Sequence, residues 1–89
     1  MHAVVTTATV HDVENGRTHL TEQVIPQLRQ APGFVSAQWV RTGDKGTGMI
    51  IFESEDAAQA VAEQLRANLP PADVVTVESV DVGEVVERA

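Results

Sequence analysis

Residues 34–69, FVSAQWVRTGDKGTGMIIFESEDAAQAVAEQLRANL, carry two strand patterns and then a helix pattern, with turn chemistry between. Phe34 to Arg41 is a run of strand-forming residues, and Lys45 to Glu53 is another. Thr42-Gly43-Asp44 and Gly46 supply turn chemistry between them, so the two runs read as a hairpin. Ser54 then offers a side-chain oxygen to the unpaired N–H groups of a helix start. Glu55 and Asp56 follow, where the helix dipole favours negative charge. Ala57, Ala58, Val61, Ala62, Leu65 and Leu69 recur at helical spacing, giving a small-residue face that can lie close to a sheet. Pro70-Pro71 stops that helix.

Upstream, Ala3 to Val10 is rich in valine and threonine and reads as a strand. Asp12 and Asn15 are both candidate N-caps for a helix on which Val13, Leu20, Val24, Leu28 and Ala31 form the apolar stripe. The stem of Arg17 fills the gap in that stripe. Gly16 weakens the first turn, so a late start is expected; Pro26, lacking an N–H, is expected to kink the helix, and Pro32-Gly33 to end it. Downstream, Asp73 to Val86 is strand-forming, but its alternation changes phase. Val75 and Val77 share one face by parity, whereas Val80, Val82 and Val86 share the other. A regular strand cannot do this, so a bulge is expected near Glu78-Ser79, followed by an extension reaching beyond the monomer. The resulting order, βαββαβ, is a ferredoxin-like α+β arrangement, with both helices on one face of an antiparallel sheet and a single domain over residues 1–89.

Composition narrows the partners. The 89 residues include no cysteine, which removes disulfides, thiolate metal sites and cysteine nucleophiles. Thirteen acidic against six basic residues give a net charge of −7, with no Lys/Arg cluster to neutralise phosphates or anionic lipid. Nucleic acid and membrane are therefore not expected partners. Met1-His2-Ala3-Val4-Val5 lacks the basic start and apolar run of a secretory leader, so a cytoplasmic location is expected. A chain this short buries only about 60 to 65% of its unfolded surface alone, which favours a partner subunit. The strands agree, being apolar on both faces: Ile50 and Phe52 oppose Met49 and Ile51, and Val4, Ala8 and Val10 oppose Ala3 and Val5. Two helices cover one face only, so a homodimer is expected to cover the other, burying about 1,500 Å².

Two segments carry a resemblance. Gln30-Ala31-Pro32-Gly33-Phe34-Val35-Ser36-Ala37 resembles the "PGFV" signature of antibiotic-biosynthesis-monooxygenase-like proteins, and Ile50-Ile51-Phe52-Glu53-Ser54-Glu55-Asp56-Ala57 resembles their strand-to-helix junction. The likeness covers nearly the whole chain in element order. It implies a dimeric α+β barrel, two sheets face to face, with a pocket between each sheet and its own helices. Members of that family include cofactor-independent monooxygenases of reduced polycyclic aromatics, haem degraders, lyases and isomerases. Haem degraders use an asparagine on the first strand, a tryptophan ending the third and a histidine on the second helix; the aligned places here hold Thr6, Phe52 and Ala62, which disfavours haem degradation. The oxygenases' pocket tyrosine has no counterpart, since the chain has no tyrosine.

The candidate site follows from that pocket. Trp39, the only tryptophan, is a stacking surface for an aromatic ligand, set against its commoner role as a core or interface anchor. Thr6, which the resemblance places on the helix side beside Phe52, is a hydrogen-bonding group or simply a strand former, like Thr7 and Thr9. Gln38 is a pocket donor or an exposed strand residue, and Phe52 shapes the pocket. His11, beside Asp12 at the strand–helix junction, is the candidate catalytic base. His19 falls away from Leu20 and Val24 on the helical wheel, toward solvent. Arg17-Thr18-His19-Leu20 also resembles the arginine–histidine helix of the YciI-like proteins, another dimeric-barrel family. No two of His2, His11 and His19 stand at metal-ligand spacing, so no metal site is expected. Gly43-Asp44-Lys45-Gly46-Thr47-Gly48 lacks the ending of a phosphate loop and reads as a hairpin turn. Glu55, Asp56, Glu63 and Arg66 read as a solvated helix face. Two functions fit: a monooxygenase-like enzyme needing no cofactor and acting on a flat apolar small molecule, or a non-catalytic dimer that binds a small molecule or serves a structural role.

Overall fold

The computed structural model describes residues 1–89, in the order β1 (His2–Val10), α1 (Val13–His19), a π turn (Leu20–Val24), α2 (Ile25–Gln30), β2 (Phe34–Thr42), β3 (Lys45–Phe52), α3 (Glu55–Ala67) and β4 (Val75–Glu84). The strands form one antiparallel sheet in the order β2-β3-β1-β4. This is the expected α+β, ferredoxin-like arrangement, with the helical layer on one face.

Local chemistry explains each boundary. Asp12 caps α1, its carboxylate accepting from the Asn15 backbone N–H at 3.1 Å and from the Asn15 side-chain amide at 2.7 Å. That cap holds the first turn despite Gly16, so the helix begins at Val13 rather than late. The cap hydrogen bonds also hold the Asp12 carboxyl below its ordinary range, led by the one from the Asn15 backbone. At Pro26 the helix departs from regular α geometry, with a new helical segment starting at Ile25. Just before it the ladder widens, and the Ile25 N–H donates five residues back to the Leu20 carbonyl. Gly33, at φ +79°, makes the left-handed turn out of α2, and its carbonyl accepts from the Glu53 N–H at 2.8 Å. Ser54 caps α3, accepting from the Ala57 N–H at 3.2 Å.

The bulge lies where the phase change placed it. Thr7 pairs with Ser79 and Ala8 with Val77, leaving Glu78 as the extra residue on β4. Val75 and Val77 thus share the helix-side face with Val80 and Val82, opposite Val10, Ala8, Thr6 and Val4 in register. The carboxylate of Glu78 accepts from the Thr9 hydroxyl at 2.6 Å and from Lys45 Nζ at 3.1 Å. Both contacts, the Thr9 hydrogen bond first, hold its pKa below the ordinary value. β4 ends at Glu84, two residues short of the expected Val86.

The core gathers at the end of the sheet where β1 begins. Val4, Ile50, Phe52, Leu28, Ala58, Val61 and Ala62 form one buried cluster. Phe34 and Phe52 meet edge to face, with centroids 6.0 Å apart. Ala58 and Ala62, fully buried, are what let α3 lie close on the sheet. The opposite face carries Val5, Val40, Met49 and Ile51, and no helix covers it; Val40 is 57% and Met49 41% exposed. No helix is long and apolar enough to cross a membrane.

Candidate functional site

Toward the hairpin end of the sheet, the two layers part around a cavity of about 270 Å³. Side-chain size is the cause. On the helix-side face β1 offers Thr6 and Ala8 where it offered Val4, and β3 offers Gly46 and Gly48 where it offered Ile50 and Phe52. Gly16 does the same for the helix, facing Val10 and Val75. Short side chains on both walls leave a space that the large core residues fill at the other end.

The floor is specific. A Cβ on Gly48 would stand 2.5 Å from Thr6 Oγ1 and 2.7 Å from both Cδ1 and Nε1 of Trp39. Only glycine therefore fits beneath the indole, and the Thr6 hydroxyl and the indole N–H converge on the same point of the floor. Neither is engaged by another side chain or backbone group of the protein. Apolar side chains such as Leu20, Val24, Val77 and Leu65 make most of the remaining wall.

Two of the five residues expected to contact a ligand or do chemistry, Thr6 and Trp39, line this cavity. The other three lie elsewhere. Phe52 is fully buried within the core, packed on Phe34 at the far end of the sheet. Gln38 pairs with Met49 on the uncovered face, on the opposite side of the sheet from the cavity, because strand parity sets it against Trp39. His11 lies just past β1, exposed, with its Nε2 2.7 Å from Thr76 Oγ1. The histidine on the cavity wall is His19, contrary to the solvent-facing position expected for it. A wheel at 100° per residue misplaces it, because the π turn from Leu20 shifts the phase of the helix. His19 is half-buried, and with Val24, Leu65 and Asn68 it also lines a cleft between the first helix and α3. Arg17 and Arg41 complete the polar part of the wall. The alternation of Gly46 and Gly48 on one strand face was the sequence signal for the cavity, since a strand interior normally carries side chains to pack.

No group of three or more His, Cys, Asp or Glu side chains gathers in a way that would hold a metal ion. Phe52 and Ala62, the residues that the sequence resemblance sets against the haem degraders' tryptophan and histidine, are both fully buried.

No family model matches the chain, and no curated relative matches it by sequence. Solved structures do. HapK from Hahella chejuensis is 12% identical, with 100% of this chain and 96% of that chain covered and a TM-score of 0.69. SnoaB from Streptomyces nogalater, a cofactor-independent oxygenase, is 17% identical, covering 98% and 94% of the two chains with a TM-score of 0.66. The heme-degrader MhuD from Mycobacterium tuberculosis, with two hemes in its active site, is 22% identical over 97% and 98% of the chains, with a TM-score of 0.54. Identities this low establish architecture rather than activity. The chain therefore has the fold of the antibiotic-biosynthesis-monooxygenase-like proteins, which its Pro32-Gly33-Phe34-Val35 segment resembles.

Proposed function

We propose that the cavity binds a flat, apolar small molecule and that the protein oxidises it as a cofactor-independent monooxygenase. The observation that carries this reading is the cavity floor, where an indole face, its N–H and a hydroxyl meet inside an apolar, glycine-floored space between sheet and helices. An anthrone-type substrate would lie against Trp39, with Thr6 and the indole N–H holding its carbonyl oxygen. Loss of a proton from the activated CH₂ gives a carbanion that transfers electrons to O₂. One oxygen atom stays on carbon as a new carbonyl, and the other leaves as water. The protein's task is then to bind, orient and take the proton, and His19 is the cavity-lining group suited to the last. SnoaB's description as a cofactor-independent oxygenase supports the reading by analogy of fold. Oxygen consumption with anthrone, measured on an electrode, is expected to exceed the protein-free rate. Uptake no faster than that control sinks the oxygenase reading.

The second reading, a non-catalytic binder, is favoured by the single histidine on the wall and by a chain without tyrosine. Quenching of Trp39 fluorescence by a bound anthraquinone, without oxygen uptake on anthrone, would select it.

Either form is proposed to work as a homodimer through the uncovered face, where Val5, Val40, Met49 and Ile51 would otherwise meet water. Sedimentation at micromolar concentration is expected to give twice the 9.5 kDa of one chain. A single-chain mass would remove the dimer.

A further inference from the structure

The charge on the cavity wall is opposite to the charge of the protein. Thirteen acidic residues spread evenly over 89 positions would put about three among the 23 that line the cavity, yet the lining includes no aspartate or glutamate. Two of the chain's six Lys/Arg residues, Arg17 and Arg41, do line it, together with His19. Neither arginine is paired with a carboxylate; the one Lys/Arg ion pair of the fold is Lys45 with Glu78. Arg41 donates from Nη1 to the Gly43 carbonyl, which leaves most of its five N–H donors free. Asp12, next to the start of α1, has its carboxylate engaged by Asn15.

The two arginines also sit at one end. Arg41 lies opposite Gly46 in the hairpin, Gly46 faces Val10, and Gly16, beside Arg17, faces Val10 as well. Trp39 and Thr6 lie one strand pair deeper, on either side of Gly48. The cavity is thus polarised along the sheet, cationic at the hairpin end and apolar toward the core.

Resting on the reading of this cavity as a small-molecule site, we infer that its ligand is an aromatic acid. Its carboxylate, or a similar fixed anion, is held at the hairpin end by Arg17 and Arg41, and its rings extend inward over Trp39. This anion is a permanent group remote from any reacting carbon. Guanidinium groups suit it because they remain charged and present a planar fork of donors to a carboxylate or sulfonate. In a protein of net charge −7 such an anion is repelled nearly everywhere else, so the cavity selects by charge as well as by shape.

Two fluorescent probes share one ring system and differ in charge: 1-anilinonaphthalene-8-sulfonate and the neutral N-phenyl-1-naphthylamine. The wild-type chain is expected to bind both. In the Arg17→Gln/Arg41→Gln variant the sulfonate should bind about tenfold more weakly and the neutral probe should change less than about twofold. The Arg29→Gln/Arg88→Gln variant removes the same charge away from the cavity and should leave both affinities near wild type. The sulfonate's affinity should also fall with added salt. Equal losses for the two probes, equal losses in the two variants, or no loss at all would overturn the anion inference while leaving the cavity as a binding site. Failure of both probes to bind would overturn the inference together with the reading beneath it.

Discussion

Phe52→Ala should lower the stability of the fold by about 3–5 kcal/mol, the usual cost of truncating a fully buried aromatic side chain. Phe52 is the largest fully buried side chain in the protein, at 0% exposure. It stands opposite His2 on one neighbouring strand and Phe34 on the other, and its ring meets Phe34 edge to face at 6.0 Å. Ala58 and Ala62 of α3, in the same buried cluster, are too short to fill the space left. A small domain has about 5–15 kcal/mol to lose, so the variant sits near the edge of folding. Thermal unfolding followed by circular dichroism should show a midpoint lower by about 15 °C or more, at about 4–8 °C for each kcal/mol. A cost under about 1 kcal/mol, with altered ligand affinity instead, would return Phe52 to the cavity wall where the family likeness had put it.

His19→Ala should slow anthrone oxidation by about a hundredfold or more, the usual contribution of a positioned general base. The comparison that gives this test its force is His11→Ala, which should leave the rate unchanged. His11 is exposed, outside the cavity and hydrogen-bonded to Thr76, whereas His19 stands on the cavity wall at the π turn. Binding of an anthraquinone product analogue, read by Trp39 quenching, should change less than about threefold in either variant, because Trp39 and Thr6 supply the contact with the rings. Stability should also hold within about 1 kcal/mol, since His19 makes no side-chain hydrogen bond whose loss would be felt. The reverse pattern, a slow His11→Ala and a normal His19→Ala, would move the proton-transfer site out of the cavity.

Phe52 and the cavity lie at opposite ends of the same sheet face. Large residues at positions 4, 50 and 52 close the layers into a core, and small ones at positions 6, 8, 46 and 48 open them into a cavity. Stability and ligand binding are therefore separable by mutation along β1 and β3. The glycines of β3 weaken a strand interior, and the place of the side chain that Gly48 lacks is taken by the Thr6 hydroxyl and the indole of Trp39.

Much of the architecture was determined by the sequence alone. Strand alternation, the Ser54 and Asp12 caps, the Pro32-Gly33 and Pro70-Pro71 stops and the phase change at Glu78 are local signals, each acting within a few residues, and each placed its element close to where it lies. The same parity that set Trp39 toward the helices set Gln38 away from them, and that was readable too once the buried face was known. What the tertiary structure alone decided were matters of depth and phase. Phe52 and Thr6 share a face of the sheet, yet one is core and the other cavity floor, because Val4, Ile50 and Phe52 fill the space between the layers at one end while short side chains at positions 6, 8, 46 and 48 leave it open at the other. His19 reaches the cavity because a π turn ahead of Pro26 shifts the phase of a helix whose wheel pointed it at solvent. The clustering of Arg17 with Arg41, twenty-four residues apart, follows from the hairpin closing beside the start of α1. Local rules fix which residues form an element and which way each one faces. How far apart two packed layers stand is fixed by the sum of side-chain volumes contributed from both, and no single stretch of sequence contains that sum.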